Sequence, residues 1–223
     1  MDDPYIYQLK LFEMAKKENL VVVLPTGSGK TRVATLLINH YLELSNKSEK
    51  HKRIIAFLAK TKTLVKQQFQ YIKKHLSNEE YNIQEFTGLT YNTEGVHIDN
   101  WKEVDWKKIF IETNVLVMTP AILHDAFRRS VLQVSQFALI VIDECHHVRG
   151  NTPEMNVCIK LLSCPSIGNR PRILGLTASP KNSKKGTLED AISELEYSMS
   201  SRVEILPDEE ISKERPHKLP TCN

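Results

Sequence analysis

One run of eight residues, Leu24-Pro25-Thr26-Gly27-Ser28-Gly29-Lys30-Thr31, holds the groups needed to grip a chain of phosphates. Glycines let the backbone curl until its N–H groups point at an anion. A helix starting at the end of such a loop adds unpaired N–H donors and the positive end of its dipole. Lys30 is placed to put a point charge on the terminal phosphates. The Thr31 hydroxyl can ligate Mg²⁺. Pro25, Thr26, Gly27, Ser28 and Gly29 form the cradle itself. The run departs from the strict G-x-x-x-x-G-K-[ST] pattern at its first position, where Leu24 stands.

A second group lies downstream. Ile140-Val141-Ile142-Asp143-Glu144-Cys145-His146 ends an apolar run with two adjacent carboxylates. Asp143 suits Mg²⁺, directly or through water, because that ion takes oxygen ligands. Glu144 suits the orientation or deprotonation of an attacking water. Alone, such a pair would be a solvated acidic turn; with a phosphate loop upstream it becomes half of a catalytic site. Leu176-Thr177-Ala178-Ser179-Pro180 brings two hydroxyls to the end of the next apolar run, where they can cap the strand or hydrogen-bond the Asp143/Glu144/His146 group. His146 fits best as a polar coupler beside the nucleotide, since no Cys/His spacing typical of a metal site surrounds it.

The elements that must position these groups are legible from periodicity. Residues 4–19 predict an amphipathic helix, Leu20–Leu24 a strand and the segment to Leu44 a helix. Arg53–Ala59 is a second buried strand, 63–76 a helix and Ile83–Thr87 a short strand. Residues 88–108, with Trp101 and Trp106, predict a loop holding a short helix near 100–108. Val115–Met118, Ala138–Ile142 and Arg172–Leu176 are further strands, with helices expected over Pro120–Arg129, Pro153–Leu162 and Leu188–Met199. Val203–Leu206 reads as a last edge strand. The charged, proline-bearing stretch from 207 reads as a linker. Strands alternating with helices predict an α/β fold, a mostly parallel sheet covered by helices on both faces. Ligands of such sheets bind at the carboxyl ends of the strands, and every motif above falls just after a strand.

Composition sets the outer bounds. The chain has 223 residues, 41% hydrophobic and 26% charged, with a formal net charge of +3. That balance fits a folded, water-soluble domain and is compatible with nucleic acid. No apolar run reaches the length of a membrane span, so no membrane partner is expected. The four cysteines form no C-x-x-C pair and read as free thiols of a reducing compartment.

Gln8, LPTGSGKT, DECH and LTAS, in this order, resemble the first RecA-like lobe of superfamily 2 helicases. The DECH spelling and the GLTASP segment are similar to the Dicer and RIG-I-like receptor group, Dicer most of all, over residues 4–206. The resemblance implies a P-loop NTPase lobe using ATP and Mg²⁺, with Lys30, Asp143 and Glu144 catalytic and Thr31 and Asp143 on the metal. It implies that Gln8 reads adenine, with Tyr5 standing where relatives often carry Arg and able to stack on a purine. It assigns coupling to His146, Thr177 and Ser179. It assigns the nucleic-acid backbone to Lys60, Thr61, Gln67, Gln68, Thr87, Gly88, Thr119 and Pro120, groups that grip phosphates without reading bases. The implied partner is double-stranded RNA, the implied process RNA silencing and the implied location the cytoplasm, with the nucleus as the alternative. An RNA sensor of antiviral signalling and a DNA repair translocase are the competing members of the superfamily. Residues 1–206 are expected to be the ATP-binding lobe and 207–223 a linker toward a second lobe. Too few residues follow Leu206 for that lobe, so the chain is expected to hydrolyse ATP poorly alone.

Overall fold

The structure is a computed structural model that describes residues 3–46, 53–76, 80–87, 109, 111–181 and 187–214. In chain order its elements are α1 (Ile6–Lys17), β1 (Leu20–Val23), α2 (Lys30–Asn46), β2 (Ile54–Leu58), α3 (Lys62–His75), β3 (Ile83–Phe86), β4 (Val115–Met118), α4 (Pro120–Arg128), β5 (Phe137–Asp143), α5 (Pro153–Leu162), β6 (Arg172–Thr177), α6 (Leu188–Met199), β7 (Arg202–Ile205) and α7 (Asp208–Glu214). The expected helix near 100–108, the two tryptophans, Gly88 and the last residues of the chain lie outside the described residues.

The seven described strands form one sheet in the order β3-β4-β2-β5-β6-β1-β7, and every pairing is parallel. Parallel strands carry helices on both faces, so both sides of each central strand must be apolar. Leu20-Val21-Val22-Val23, Ile54–Leu58 and Val115–Met118 are accordingly buried at every position. Alternate residues feed two separate cores. Leu20, Val22, Ile55 and Phe57 face α1, α2, α3 and α7 through Leu11, Leu37, Ile72 and Ile211. Val21, Val23, Ile54 and Ala56 belong to the core that holds Leu123 of α4, Val157 of α5 and Met199 of α6.

Register decides which residues meet. Val23 pairs with Thr177, and Asp143 pairs with Leu176. Leu58 pairs with Ile142 on one side and Met118 on the other. The segments that follow β2, β5, β6 and β1 therefore emerge side by side. Leu24 N–H still reaches the Thr177 carbonyl at 3.1 Å before the chain turns away into the glycine loop.

Within the stretch expected to be a linker, residues 208–214 form the helix α7, docked on α1. Ile211 is fully buried in the core below α1, Lys10 and Glu210 pair at 3.2 Å, and the Glu214 carboxylate accepts from the Ile6 and Tyr7 N–H groups at 2.7 and 3.4 Å. The alternating charge that read as a linker is the solvent side of this helix, and one isoleucine anchors it. Ile211→Ala should cost about 2–5 kcal/mol, the usual loss for a buried isoleucine. Urea unfolding of the two chains reads it, and an unstructured tail would show no change.

Candidate functional site

The glycine loop is built before any ligand arrives. Gly27 and Gly29 sit at φ 81° and 83°, backbone that side chains rarely adopt. A Cβ on Gly29 would also collide with the Gln8 amide nitrogen. The loop is clamped from below through one carbonyl. The Ser28 carbonyl accepts from the Tyr7 hydroxyl at 2.7 Å and from Gln8 Nε2 at 3.1 Å. Gln8 Oε1 accepts in turn from Tyr5 N–H at 3.0 Å, which closes the first turn of α1. Ser28 Oγ donates back to the Pro25 carbonyl at 2.7 Å. Lys30 lies across the loop, its ammonium donating to the Leu24 and Pro25 carbonyls at 3.0 and 3.3 Å. Thr31 follows it in the first turn of α2.

Facing the loop, β5 ends in Asp143 and the chain turns sharply at Glu144, which adopts left-handed backbone at φ 51°. Non-glycine residues in that region carry local strain, and such strain gathers at functional sites. Gln68, from α3, donates to Asp143 Oδ2 at 3.2 Å, and the Glu144 N–H donates to Oδ1 at 3.0 Å. Even so, burial and the neighbouring Glu144 push the Asp143 carboxyl up from 3.8 to about 6. The opposing pull of Lys30 does not compensate. Lys30 is itself held below the usual lysine value by burial, against the pull of Glu144 and Asp143. Two carboxylates and one ammonium thus share a partly desolvated space with a net negative balance, a donor set that a divalent cation bound to phosphates would satisfy.

His146 links this centre to the end of β6. Its Nδ1 lies 2.8 Å from Thr177 Oγ1 and 3.2 Å from Glu144 Oε2. The Thr177 hydroxyl spends its proton on the Ser179 carbonyl at 2.7 Å, so it can only accept from His146. That fixes the proton on Nδ1. Burial and then His147 hold His146 below the ordinary histidine value, despite Glu144. At neutral pH the ring is therefore neutral, and its contact with Glu144 is not an ion pair. The Ser179 N–H donates back to Thr177 Oγ1 at 3.2 Å, and Ser179 Oγ donates onward to the Lys181 carbonyl.

Four of the eight nucleic-acid candidates share one groove at the same sheet edge. Lys60, Thr61 and Thr119-Pro120, with Lys62, Ala121, Pro153 and Glu154, line one open groove of about 360 Å³. Thr61 caps α3 by accepting from Leu64 N–H at 3.2 Å, which leaves its hydroxyl proton to donate. Thr119 holds the N-cap position of α4, yet its side chain makes no capping bond, so the hydroxyl is not consumed by the helix. Lys60 donates to His147 Nε2 at 3.0 Å, joining groove to nucleotide side. Gln67 is exposed on α3, while Thr87 is buried at the end of β3 and Gly88 lies outside the described residues. Gln68 stands apart from this group. It is buried and hydrogen-bonds Asp143, because one residue's step along α3 rotates it from the open side to the sheet side. Three participants escaped sequence reading: Tyr7, whose hydroxyl holds the loop, Gln68 as a partner of Asp143, and His147 as a partner of Lys60. Only Tyr7 left a trace, a large polar aromatic on the apolar side of α1.

The fold and the facing loop and carboxylates define a RecA-like helicase lobe. Residues 5–186 match the DEAD/DEAH box helicase family, and the chain belongs to it. That family implies ATP- and metal-dependent activity in general. The chain is 35% identical over 204 residues to Dicer-like protein 1 of Aspergillus niger, covering 90% of this chain and 13% of the relative. It is 36% identical over 205 residues to Endoribonuclease Dicer homolog 3 of Arabidopsis thaliana, covering 88% and 12%. The chain thus spans about an eighth of the curated relatives it matches. The Pyrococcus furiosus Hef helicase domain superposes with a TM-score of 0.72 over 96% of this chain and 40% of that one, at 24% identity, and shares the fold. No described helix is long and apolar enough to cross a membrane.

The electrostatics carry a signed prediction. A carboxyl raised by folding binds its proton more readily folded than unfolded, so its contribution to stability falls as pH rises through the interval from 3.8 to about 6. In metal-free buffer Asp143→Asn should raise stability above neutral pH by roughly 1–3 kcal/mol, and the gain should vanish below pH ~4. Thermal unfolding across pH measures it.

Proposed function

We propose that this chain is the ATP-binding lobe of a double-stranded-RNA-dependent ATPase of Dicer type that acts in small-RNA processing. The observation that carries the reading is the convergence of Lys30, Asp143 and Glu144 at the ends of β1 and β5, in a chain whose relatives are named Dicer. On binding ATP, Lys30 leaves the Leu24 and Pro25 carbonyls for the terminal phosphates, and the loop N–H groups take the others. Thr31 and Asp143 would hold Mg²⁺, which supplies neutralising charge to the phosphate oxygens when bound. Glu144 orients a water toward the terminal phosphorus and accepts its proton. Thr177 and Ser179 receive the change at Glu144 through His146. Tyr5 stacks beside the adenine, and Gln8 joins base to loop because its amide already touches Ser28.

Double-stranded RNA lies on the groove of Lys60, Thr61, Thr119 and Pro120, held by its phosphates. The Lys60–His147 contact places that groove one residue from the coupling histidine. A second RecA-like lobe of the parent protein supplies the arginines that stabilise charge on the transferring phosphoryl group, an effect of several orders of magnitude in related NTPases. The expected location is the cytoplasm.

The test is ATP turnover by the two-lobe parent protein with long blunt double-stranded RNA, compared with DNA of the same sequence. RNA should stimulate and DNA should not. Glu144→Gln should lower kcat about 10²–10⁴-fold with ATP affinity within a few-fold, and this chain alone should turn over at background. Equal stimulation by DNA would overturn the RNA reading, and an active Glu144→Gln protein would overturn the role of Glu144.

A further inference from the structure

The far end of the sheet, a strand length from the nucleotide loop, carries a cavity of about 420 Å³. It opens where β2, β5 and β6 begin. Arg53 lines it just before β2, Ala138 at the start of β5, and Arg170 and Arg172 on the approach to β6. Tyr41 of α2 closes another side.

Three arginines thus line one concavity, and no carboxylate among the described residues lines it. Among the described residues their hydrogen bonds run to neutral oxygens. Arg53 Nη2 donates to the Asn169 carbonyl at 3.0 Å, and Arg170 Nε to the Cys164 carbonyl at 2.9 Å. Arg172 donates from Nε to the Tyr41 hydroxyl and from Nη2 to the Lys16 carbonyl, both at 3.3 Å. Arg53 Nε is buried with no acceptor among the described residues. Burial holds the Arg53 guanidinium below its usual value, and the groups opposing that shift are Tyr41 and Cys164 rather than an acid. Glu18, which directly precedes the lining residue Asn19, is engaged by Arg202 at 3.6 Å.

Partly buried arginines are ordinarily neutralised by carboxylates, because desolvated charge without a counter-charge is costly. Here no described residue supplies the counter-charge, and the space for one is present. The planar fork of arginine matches the oxygens of phosphate. The volume exceeds that of a single phosphate and falls at the small end of ligand pockets.

We propose that this cavity is a second anion site, one that takes a small phosphate-class compound such as a polyphosphate or phosphate ester, independent of the nucleotide loop. A bound oxyanion would bridge Arg53, Arg170 and Arg172, and so tie the starts of β2 and β6 together from the face opposite the catalytic groups. The site owes nothing to Lys30, so it is separable from the nucleotide reading by mutation.

The experiment is calorimetric titration of the whole chain with inorganic tripolyphosphate in metal-free buffer, in a Lys30→Ala background that disables the loop. The Lys30→Ala chain should still bind one tripolyphosphate and gain thermal stability from it. Adding Arg53→Gln or Arg170→Gln should weaken that binding at least tenfold, while Arg128→Gln, at an exposed position on α4, should leave it within twofold. Arg170 sits in a loop, so its variant keeps the test valid if Arg53→Gln unfolds the chain, and circular dichroism checks both. Loss of all binding in Lys30→Ala alone, or equal affinity across the arginine variants, would overturn the proposal.

Discussion

A parallel sheet covered on both faces has no room for polar chemistry along its strands. Each central strand here is apolar on both sides, and the charged groups of the site appear only where a strand ends. This constraint decides the geometry of everything else. Because β2, β5, β6 and β1 are neighbours in one direction, their carboxyl ends deliver Lys60, Asp143, Thr177 and the glycine loop to a single edge. No long-range folding of loops is needed to bring them together. The same constraint leaves the opposite ends of the strands for other use, and there the arginines of the second cavity gather.

At the carboxyl edge of the sheet the balance of charge is unsettled by the fold. Asp143 and Glu144 are adjacent in sequence, and burial raises the first to about 6 although Gln68, a backbone N–H and Lys30 all favour its ionised form. Lys30 meanwhile rests on loop carbonyls rather than on either carboxylate. Phosphates and a divalent cation would complete this arrangement by giving the ammonium an anion and the carboxylates a cation. The loop that would receive them is already shaped, because Tyr7 and Gln8 converge on the Ser28 carbonyl and the two glycines hold positive φ. Prior shaping means little ordering entropy is lost when a ligand binds.

Most of the frame was legible because it rests on local rules. Runs such as Ile54–Leu58 and Val115–Met118 could only be buried parallel strands, and helices over 153–162 and 188–199 appeared at the expected residues. The glycine loop and Asp143-Glu144 were legible because they are short runs of distinctive residues placed just after apolar strands. What escaped depends on which side chains meet across the fold. Nothing in the order Gln67-Gln68 says that the second turns inward to Asp143 while the first faces solvent. Nothing near Tyr7 announces a hydrogen bond to a residue in a loop beyond the next strand. The helix over 208–214 was hidden because its single buried anchor, Ile211, sits among charges that read as a linker. Arg53, Arg170 and Arg172 are unremarkable apart in sequence, and only strand order makes them neighbours.

If this lobe alone presents a formed nucleotide site, calorimetric titration of the chain with ATP will show it, with and without Mg²⁺, beside Lys30→Ala. One site is expected, with an affinity that rises with Mg²⁺ and falls at least tenfold in the Lys30→Ala chain. Binding that ignores both Mg²⁺ and Lys30, or no binding by the folded wild-type chain, would contradict it.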